Sequence, residues 1–553
     1  MTSRPTFRPS VAEAEEMLDG EVVASGIGNL YLDSKVHHKF MRKATGVTIH
    51  IVKCGEFKTW LAIWDEEGTS RLMKQEIEHR ISLDTNEKES SITWIFVHNG
   101  ATRLWSFKFE TKEQLKECVR KMRIAMWEKG RQEDFKRQPE EDQAAIDGGE
   151  DPMDEEYSSE DEDDEEVYEM QKKQFRARFD DKKTSDQKNS HLAVGMATDR
   201  AFVLRGSQIG VFKGGKDKDD VSFVTRINEV RDTRGNLFSP EKAFLHDKDT
   251  KMILMAPGDR QKAFVMDLNA GKVCEEWQGP KDFEFGALAP GTKYQTITGG
   301  SLIAGVNSNT VFRLDPRISQ KNKLADNRVN KTNFQFNCLA TNEEGNIGVG
   351  SAKGEIRLLS EASKIPKVLL PGLGDPIKPQ GIDTTADGKW VLATCKEYLL
   401  LYNVTHKDGT KGKGTGFQKR FLKNEKPIPL KLKLSSQDLV NFKILDVDFT
   451  PARFSVGDSE EQMISTSTGP YLIVWSFTAL KKNAAKARFL YKIKKLAENV
   501  VGEHFHYNSQ KLVVSTKDDV VMQECTPGAV KRSFLQSSEK KIQPIMRRRT
   551  EYD

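Results

Sequence analysis

The sequence of 553 residues predicts a mainly β protein with two β-rich units joined by an acidic disordered linker. Short apolar runs separated by turn residues fill residues 20–130, and a similar pattern that repeats fills residues 191–530. Between them, over residues 131–190, aromatic and β-branched residues become scarce and charged residues dominate. Residues 1–19 and 531–553 resemble neither unit and are predicted to be a flexible N-terminus and a basic flexible tail.

The N-terminal unit has the element order of the pleckstrin-homology (PH) superfold, several antiparallel strands followed by one helix. The run "SSITWIFVH" alternates with the period of two expected of a strand packed on two unlike faces. The run that starts at Thr111 changes to a helical period, with Thr111 as N-cap, Gln114 completing a capping box and Gly130 as a stop. Its predicted buried stripe consists of Leu115, Cys118, Val119, Met122 and Met126. We therefore predict a PH-like domain over residues 20–130.

The predicted linker contains the strongest charge feature of the chain. The run from Glu150 to Glu166 holds twelve carboxylates and no basic residue, so the net charge of +4 combines −12 from this run with +16 from the rest. The basic remainder suits acidic partners. Within the run, Ser158 and Ser159 precede further acidic residues and are predicted phosphorylation sites of an acidophilic kinase; a solvating spacer is the alternative.

The second unit is predicted to be a seven-bladed β-propeller because comparable apolar runs recur along it. Most successive runs lie about forty to fifty residues apart, the length of a four-stranded blade. Stacked blades bury faces that one unit would expose, and a closed ring leaves no long free edge. The seven runs are "QIGVFK", "AFVMDL", "TVFRLD", "EIRLLS", "YLLLYNV", "YLIVWSF" and "DVVMQEC".

One repeat carries a long Gly- and Lys-rich insertion, residues 405–437, which is predicted to be a basic loop on one propeller face. Its cations are candidates for docking a partner or the chain's own acidic run, which would mask that face until a partner competes. The candidate residues are Lys411, Lys413, Lys419, Arg420 and Lys423.

Glycines cluster around a lysine in "NEEGNIGVGSAKGEIRLLS", from Asn342 to Ser360, as they would in a phosphate-binding loop. The segment lacks the terminal G-K-[ST] of a P-loop, and a β-type run follows where a helix should begin. We therefore interpret the glycines as the turn chemistry of a hairpin within one repeat, not as a nucleotide site.

Four long stretches of the second unit resemble a known family: "HLAVGMATDRAFVLRGSQIGVFK", "FEFGALAPGTKYQT", "LDPRISQKNKLADNRVN" and "FQFNCLATNEEGNIGVGSAKGEIRLLS". They are similar to the C-terminal WD40-like domain of the vacuolar-import-and-degradation protein twenty-seven family, which has plant embryo-and-meristem relatives. The resemblance extends from His191 to about Val530. It implies a WD40-like propeller behind a PH-type module, a link by name to vacuolar degradation, and no catalytic residues.

In the N-terminal unit, the segment "DSKVHHKFMRKATG" gathers basic side chains where lipid-binding PH domains hold phosphate groups. The alternative is a solvated basic hairpin, because the fold alone does not fix the ligand. The candidates for an anionic ligand are Lys35, Lys39, Arg42 and Lys43.

No pattern predicts catalysis, a cofactor or a metal. The six cysteines occur singly, no serine lies in a G-x-S-x-G elbow, and His504 and His506 lack a third ligand at short spacing. We interpret the two histidines as structural residues of a strand and expect a protein that is not an enzyme.

Location is predicted from two absences in the sequence. No stretch reaches the roughly 18 apolar residues of a membrane span, and the N-terminus lacks the apolar core of a secretory signal. A cytoplasmic protein is expected, with the nucleus as a second location.

The resulting functional expectation is a non-catalytic interaction scaffold or adaptor of the cytosol whose partners are other proteins. Two alternatives stay open: a Ran-type GTPase-binding adaptor that acts through the N-terminal domain, and a phosphoinositide-directed membrane adaptor that uses Lys39, Arg42 and Lys43. Anionic lipid is the less favoured partner, and the sequence carries no strong nucleic-acid signal.

Overall fold

A computed structural model describes twelve segments of the chain: residues 20–34, 39–67, 70–79, 81–98, 101–148, 166–170, 175–178, 187–214, 221–406, 414–422, 425–484 and 490–529. Within these segments the chain forms one seven-stranded sheet followed by seven smaller sheets. The predicted mainly β architecture, with a PH-like domain and a seven-bladed propeller, is confirmed.

The PH-like domain is an antiparallel sheet of strand order β4-β3-β2-β1-β7-β6-β5, with the long helix α1 (Lys112–Arg131) packed against it. In β6 the predicted alternation places Ile92 and Trp94 in the core with no exposed surface. The seven strands are β1 (Glu21–Ser34), β2 (Lys39–Gly55), β3 (Lys58–Trp64), β4 (Arg71–Glu76), β5 (Leu83–Asn86), β6 (Ser91–His98) and β7 (Ala101–Phe109).

Helix α1 begins as predicted but uses its capping residues differently. Thr111 Oγ1 accepts a hydrogen bond from Gln114 N at 3.3 Å, as an N-cap should. The Gln114 side chain does not close a capping box; its Oε1 accepts from Ile27 N at 3.3 Å and so fastens the helix start to β1. The predicted stripe faces the sheet, with Cys118 and Met122 fully buried.

The propeller has seven blades arranged as a ring, six of four strands and a seventh of five strands. The first strands of successive blades contact one another, and the first strand of blade 1 also contacts that of blade 7, so the first strands surround a central channel. Blade 1 is β10 (His191–Val194), β11 (Arg200–Arg205), β12 (Gln208–Lys213) and β13 (Ser222–Ile227); blade 2 is β14 (Lys242–His246), β15 (Lys251–Ala256), β16 (Asp259–Asp267) and β17 (Lys272–Gln278); blade 3 is β18 (Ala287–Pro290), β19 (Ile303–Val306), β20 (Thr310–Leu314) and β21 (Leu324–Val329).

The remaining blades follow the same order. Blade 4 is β22 (Phe336–Thr341), β23 (Ile347–Ser351), β24 (Ile356–Leu359) and β25 (Val368–Leu370); blade 5 is β26 (Ile382–Thr384), β27 (Trp390–Thr394), β28 (Leu399–Asn403) and β29 (Leu430–Leu432); blade 6 is β30 (Arg453–Phe454), β31 (Met463–Thr468), β32 (Tyr471–Ser476) and β33 (Tyr491–Lys495). Blade 7 contains β34 (Val500–Phe505), β35 (Lys511–Thr516) and β36 (Asp519–Ala529). Short helices α3 (Gln295–Thr298), α4 (Ser436–Asn441) and α5 (Phe477–Lys482) lie in the connections.

The seven apolar runs found in the sequence form the third strand of each blade. A third strand is flanked by strands on both edges and by neighbouring blades on both faces, so it has no solvent side. In β32, accordingly, all six residues from Tyr471 to Ser476 are buried. The glycine-rich segment is also confirmed as a hairpin, since β23 and β24 pair antiparallel, with Ile347 opposite Leu359.

Blade 7 is completed by strands that precede the propeller in the sequence. Strand β9 (Phe175–Arg178) pairs antiparallel with Asp519–Met522, and β8 (Glu166–Met170) pairs with Cys525–Ala529. Ala177, in β9, is only 8% exposed and packs in the core between blades 7 and 1. The ring is therefore closed by non-covalent pairing between the two ends of the propeller chain.

These strands correct the prediction of a disordered linker over residues 131–190. In addition, a 3-10 turn (Phe135–Arg137) and helix α2 (Glu140–Gly148) extend the PH-like domain. The Phe135 ring packs edge-on against the Trp127 ring, with 6.0 Å between the ring centroids. Composition alone missed these elements because each is short and obtains its burial from a partner distant in sequence. Residues 149–165, which hold most of the acidic run together with Ser158 and Ser159, lie outside the described residues.

Candidate interaction surfaces

The PH-like domain packs directly on the propeller through polar contacts at β5. Asp84 Oδ2 accepts a hydrogen bond from Ser436 N at 2.6 Å, and Asp84 Oδ1 lies 3.4 Å from Lys433 Nζ. Ser82 Oγ and Ser436 Oγ are 2.7 Å apart. We call this set of four residues the junction; it joins the domain to the connection between blades 5 and 6.

Two further contacts lie at the end of α1 and along α2. Arg131 Nη1 donates to Lys353 O of blade 4 at 2.9 Å, and Lys426 Nζ lies 3.2 Å from Asp142 Oδ1. Between them is a cavity of about 60 Å³, partly lined by Trp127. A space of that size holds a few water molecules rather than a large ligand. The contacts spread over blades 4 to 6, so they restrain both position and rotation of the PH-like domain.

The predicted anion site of the PH-like domain is only partly covered by the described residues. Arg42 and Lys43 lie in β2 and are exposed; Lys39 starts the same strand, and Lys35 lies outside the described residues. Next to the two cations, Phe40 and Met41 are 37% and 40% exposed. These apolar neighbours, which were not predicted as part of the site, give the hairpin an exposed apolar surface beside its charge.

The described part of the basic loop is fastened to blade 4. Phe417 is fully buried, and Gln418 Nε2 donates to Glu344 Oε2 at 2.7 Å. Lys419 and Arg420 follow in the chain and are exposed to solvent. Lys411, Lys413 and Lys423 lie outside the described residues, so docking of a partner or of the acidic run on this loop stays a prediction.

The two strand histidines have separate roles. His506 Nε2 lies 2.8 Å from Asp199 Oδ1 of blade 1, whereas His504 lies on the inner strand β34. Within the segments that the structure describes, no group of three or more His, Cys, Asp or Glu side chains is placed to hold a metal ion. The pair does not form a shared metal site in this arrangement.

An unexpected feature is a loop of blade 3 that crosses the ring axis. The connection between β18 and β19 is long, and we call its residues 292–298 the plug. Lys293 Nζ lies 3.2 Å from Asp383 Oδ1 and 3.8 Å from Glu461 Oε1, and it also donates to Thr384 O. Burial raises the pKa of Glu461, and the Lys293 charge opposes that rise. A lysine from blade 3 thus neutralises carboxylates of blades 5 and 6.

The rest of the plug touches the other side of the ring. The rings of Tyr294 and Tyr507 meet edge to face at 5.7 Å, and the Gln295 side-chain amide lies 3.3 Å from His246 Nδ1. Together with Lys293, these contacts reach blades 2, 5, 6 and 7. A segment of blade 3 can contact all of them only by lying over the channel mouth, so the plug closes one end of the channel. No pattern in the stretch "FEFGALAPGTKYQT", where the plug begins, predicts this role from the sequence.

Two family models match the chain. The VID27 C-terminal WD40-like domain matches residues 187–545, and the VID27 PH-like domain matches residues 21–129.

No helix in the described segments has the length and apolarity needed to cross a membrane.

Two curated relatives are both named vacuolar import and degradation protein 27. The one from Schizosaccharomyces pombe is 29% identical over 544 residues, covering 91% of this chain and 66% of the relative. The one from Saccharomyces cerevisiae is 30% identical over 563 residues, covering 95% of this chain and 70% of the relative. The chain thus spans about two thirds of the length of these relatives.

Among solved structures, the β-propeller domain of Myceliophteria thermophila Cps50 (Swd1) has a TM-score of 0.42 and 10% identity, over 62% of this chain and 97% of that one. The two family models fall on the two units that the structure separates, and the larger one covers most of the chain. The chain therefore belongs to the vacuolar import and degradation protein 27 family.

Proposed function

We propose that this protein is a non-catalytic scaffold of the cytosol that holds two protein-binding modules in one fixed arrangement. The observation that carries the proposal is the junction, where Asp84 binds both Ser436 and Lys433 of the propeller. Independent modules on a flexible tether would need no such contacts. A propeller offers rings of loops on a rigid frame, which suits the binding of protein surfaces.

The process that this scaffold serves is proposed from the name shared by its relatives, vacuolar import and degradation. In that reading, the PH-like domain and the propeller each contact a different protein, and the junction sets the distance between the two partners. The exposed Lys419 and Arg420 of the basic loop are candidates for the propeller contact, because they remain solvent-facing although their loop is anchored.

The proposal is tested by proximity labelling with the full chain and with the chain lacking residues 1–130. We expect the full chain to label a set of proteins of which only part is retained without the PH-like domain. Identical sets would show that this domain contacts no partner and would contradict the proposal. Capture of a small GTPase only in its GTP-loaded form would favour the alternative function, a Ran-type GTPase-binding adaptor, over the proposed scaffold.

A second candidate, a membrane adaptor, is favoured by one observation: Phe40 and Met41 are exposed beside Arg42 and Lys43. Apolar side chains next to cations can enter a lipid headgroup region while the cations bind phosphates. Sedimentation of the full chain with vesicles containing phosphoinositides tests this candidate. Charge reversal at Arg42 and Lys43 should abolish binding, whereas Lys112→Glu, at an exposed lysine of α1, should not. Equal binding by both variants would exclude it.

A further inference from the structure

The central channel carries cationic side chains on its inner strands. Lys242 is the first residue of β14, and Arg453 is the first residue of β30. Both inner strands run towards the plugged end of the channel. The charges of Arg453 and Lys242 both lower the pKa of His191, so the two cations lie near the same residue of the channel wall. His191 of β10 and His504 of β34 complete the cluster.

Within the described parts of the chain, neither cation forms an ion pair with a carboxylate. Of the carboxylates in the described segments, none lies within 4.0 Å of Lys242 Nζ or of the Arg453 guanidinium. Arg453 Nη1 donates to Ile382 O at 2.9 Å and, at 3.4 Å, to Ala452 O, which leaves its other N–H groups without a protein acceptor in those segments. The Lys242 ammonium group forms no hydrogen bond in those segments either, although its backbone pairs with Met255.

The acidic residues of the same region already have partners. Glu503 accepts hydrogen bonds from Thr450 Oγ1 at 2.7 Å and from Ser467 Oγ at 2.6 Å. Asp383 accepts from Lys293 Nζ and, at 2.9 Å, from Phe454 N. Within the described segments, these two carboxyl groups therefore form hydrogen bonds with other partners. The two channel cations are left in excess.

The histidines add hydrogen-bonding groups without adding charge. Burial and the Arg453 charge lower the pKa of His504 to about 3, and burial lowers the pKa of His191. His191 Nε2 donates to Ala243 O at 2.8 Å, because a carbonyl oxygen can only accept. In the neutral ring Nδ1 then keeps a lone pair, which can accept a hydrogen bond from a protonated phosphate oxygen.

Access is from one end only. At the plugged end Tyr294, Gln295 and Thr296 are 7%, 1% and 6% exposed, so they seal the mouth. Lys242, Arg453, His191 and His504 are all half-buried rather than fully buried, so solvent reaches them. A blind channel with low-dielectric walls and two cations concentrates anions, since fewer water molecules screen the charge.

We propose that the central channel is a binding site for the phosphate group of a small molecule, held between Lys242 and Arg453. A phosphate carries close to two negative charges at neutral pH and so matches the two cations. Its several oxygens can bind the guanidinium fork, the ammonium and an imidazole at once. This site lies away from the surfaces of the proposed scaffold and goes beyond that function.

The test is calorimetric titration of the full chain with inorganic phosphate, inositol hexakisphosphate and a phosphoserine peptide. We expect the small-molecule phosphates to bind, and the dissociation constant to rise by about tenfold to a hundredfold in Lys242→Gln and in Arg453→Gln. Arg453→Lys, which keeps the charge, should lose less. Lys272→Gln, at an exposed lysine on the outer strand of the same blade, is the matched control and should bind like the unaltered chain.

Two results would overturn the proposal: no binding of either small-molecule phosphate to the unaltered chain at millimolar concentration, or equal affinities in Lys242→Gln and the control. Binding of the phosphopeptide alone, lost in the same variants, would also overturn it and assign the site to a phosphoprotein. Should Arg453→Gln fail to fold, Lys242→Gln and Arg453→Lys decide the outcome.

Discussion

Glu503 is a carboxyl group buried among hydroxyls between blades 6 and 7. It is 3% exposed, and burial raises its pKa to about 7 against the lowering effect of its bonds to Ser467 and Thr450. The folded protein thus favours the protonated form, whereas the unfolded chain ionises near 4.5. Its contribution to stability is complete below about pH 4.5 and is lost as the pH rises through 7.

The variant Glu503→Gln should remove this pH dependence. Between pH 5 and pH 8 the unaltered protein should lose up to about 3 kcal/mol relative to the variant. Urea denaturation of both proteins at the two pH values measures the difference, and histidines cancel because both proteins contain them. Parallel pH profiles would show that Glu503 is ionised in the fold.

Gly354 ends the tight turn before β24 with a φ of +86°, and a Cβ there would lie 2.6 Å from Asp375 O. Gly354→Ala should therefore destabilise by about 1 to 3 kcal/mol. Gly348, in the same hairpin, has ordinary strand geometry, and its Cβ would meet Ile382 Cδ1 at 3.4 Å. Gly348→Ala should stay within about 0.5 kcal/mol. Thermal melts compare the two, and equal losses would contradict the assigned roles.

At the scale of elements, the plug depends on one buried cation. The Lys293 side chain is 7% exposed and Glu461 is 6% exposed. Lys293→Met should cost about 3 to 5 kcal/mol, because it leaves carboxylates buried without their cation. Lys389→Met, which breaks a pair with Asp387 whose side chains are 50% and 42% exposed, should cost less than about 1 kcal/mol.

Urea denaturation measures both losses. A further exchange, Glu461→Gln in the Lys293→Met background, should restore part of the stability by removing one of the orphaned charges. If it lowers stability further, the ion pair is not the reason that the plug holds.

The closing strand β9 should count as part of the propeller rather than of the linker. Its four residue pairs with β36 make the outer edge of blade 7, and at about 1 kcal/mol per hydrogen bond their loss costs on the order of 4 kcal/mol. A chain of residues 171–553, which keeps β9 but lacks β8, should therefore melt well above a chain of residues 187–553. Coincident melting curves would mean that the pairing adds nothing to the ring.

The elements that could be predicted from the sequence are those whose burial depends on residues close together in the chain. The third strands are predictable because each is a largely apolar run. Helix α1 is predictable from its stripe of buried apolar residues and from its N-cap at Thr111. Prediction from the sequence failed for β9 and the plug, whose stability comes from partners hundreds or tens of residues away. Nothing near Lys293 in the sequence indicates that Asp383 and Glu461 will neutralise it. The channel cations were missed for the same reason.

At the scale of the whole molecule, the junction decides whether the two units move as one. Asp84→Ala removes the acceptor of Ser436 N and the partner of Lys433, which should cost about 1 to 3 kcal/mol of interface stability. Amide exchange in α4 should then accelerate, and small-angle scattering should show a larger radius of gyration. Glu89→Ala, which removes an exposed pair with Lys108, is the control and should leave both unchanged. Unaltered amide exchange in Asp84→Ala would mean that the contacts of Arg131 and Lys426 are enough to hold the two units together.

The closure of blade 7 also fixes an order of events during synthesis. Arg178 and Asp519, which pair in the finished ring, are 341 residues apart. At about 5 to 20 residues per second, the closing strand must wait tens of seconds for its partner, and its edge stays unpaired during that time. The run of twelve carboxylates from Glu150 to Glu166 ends at the first residue of β8, the other strand that completes blade 7. Because like charges beside an unpaired edge repel other chains, we expect the acidic run to disfavour pairing of the nascent ring with a neighbouring chain.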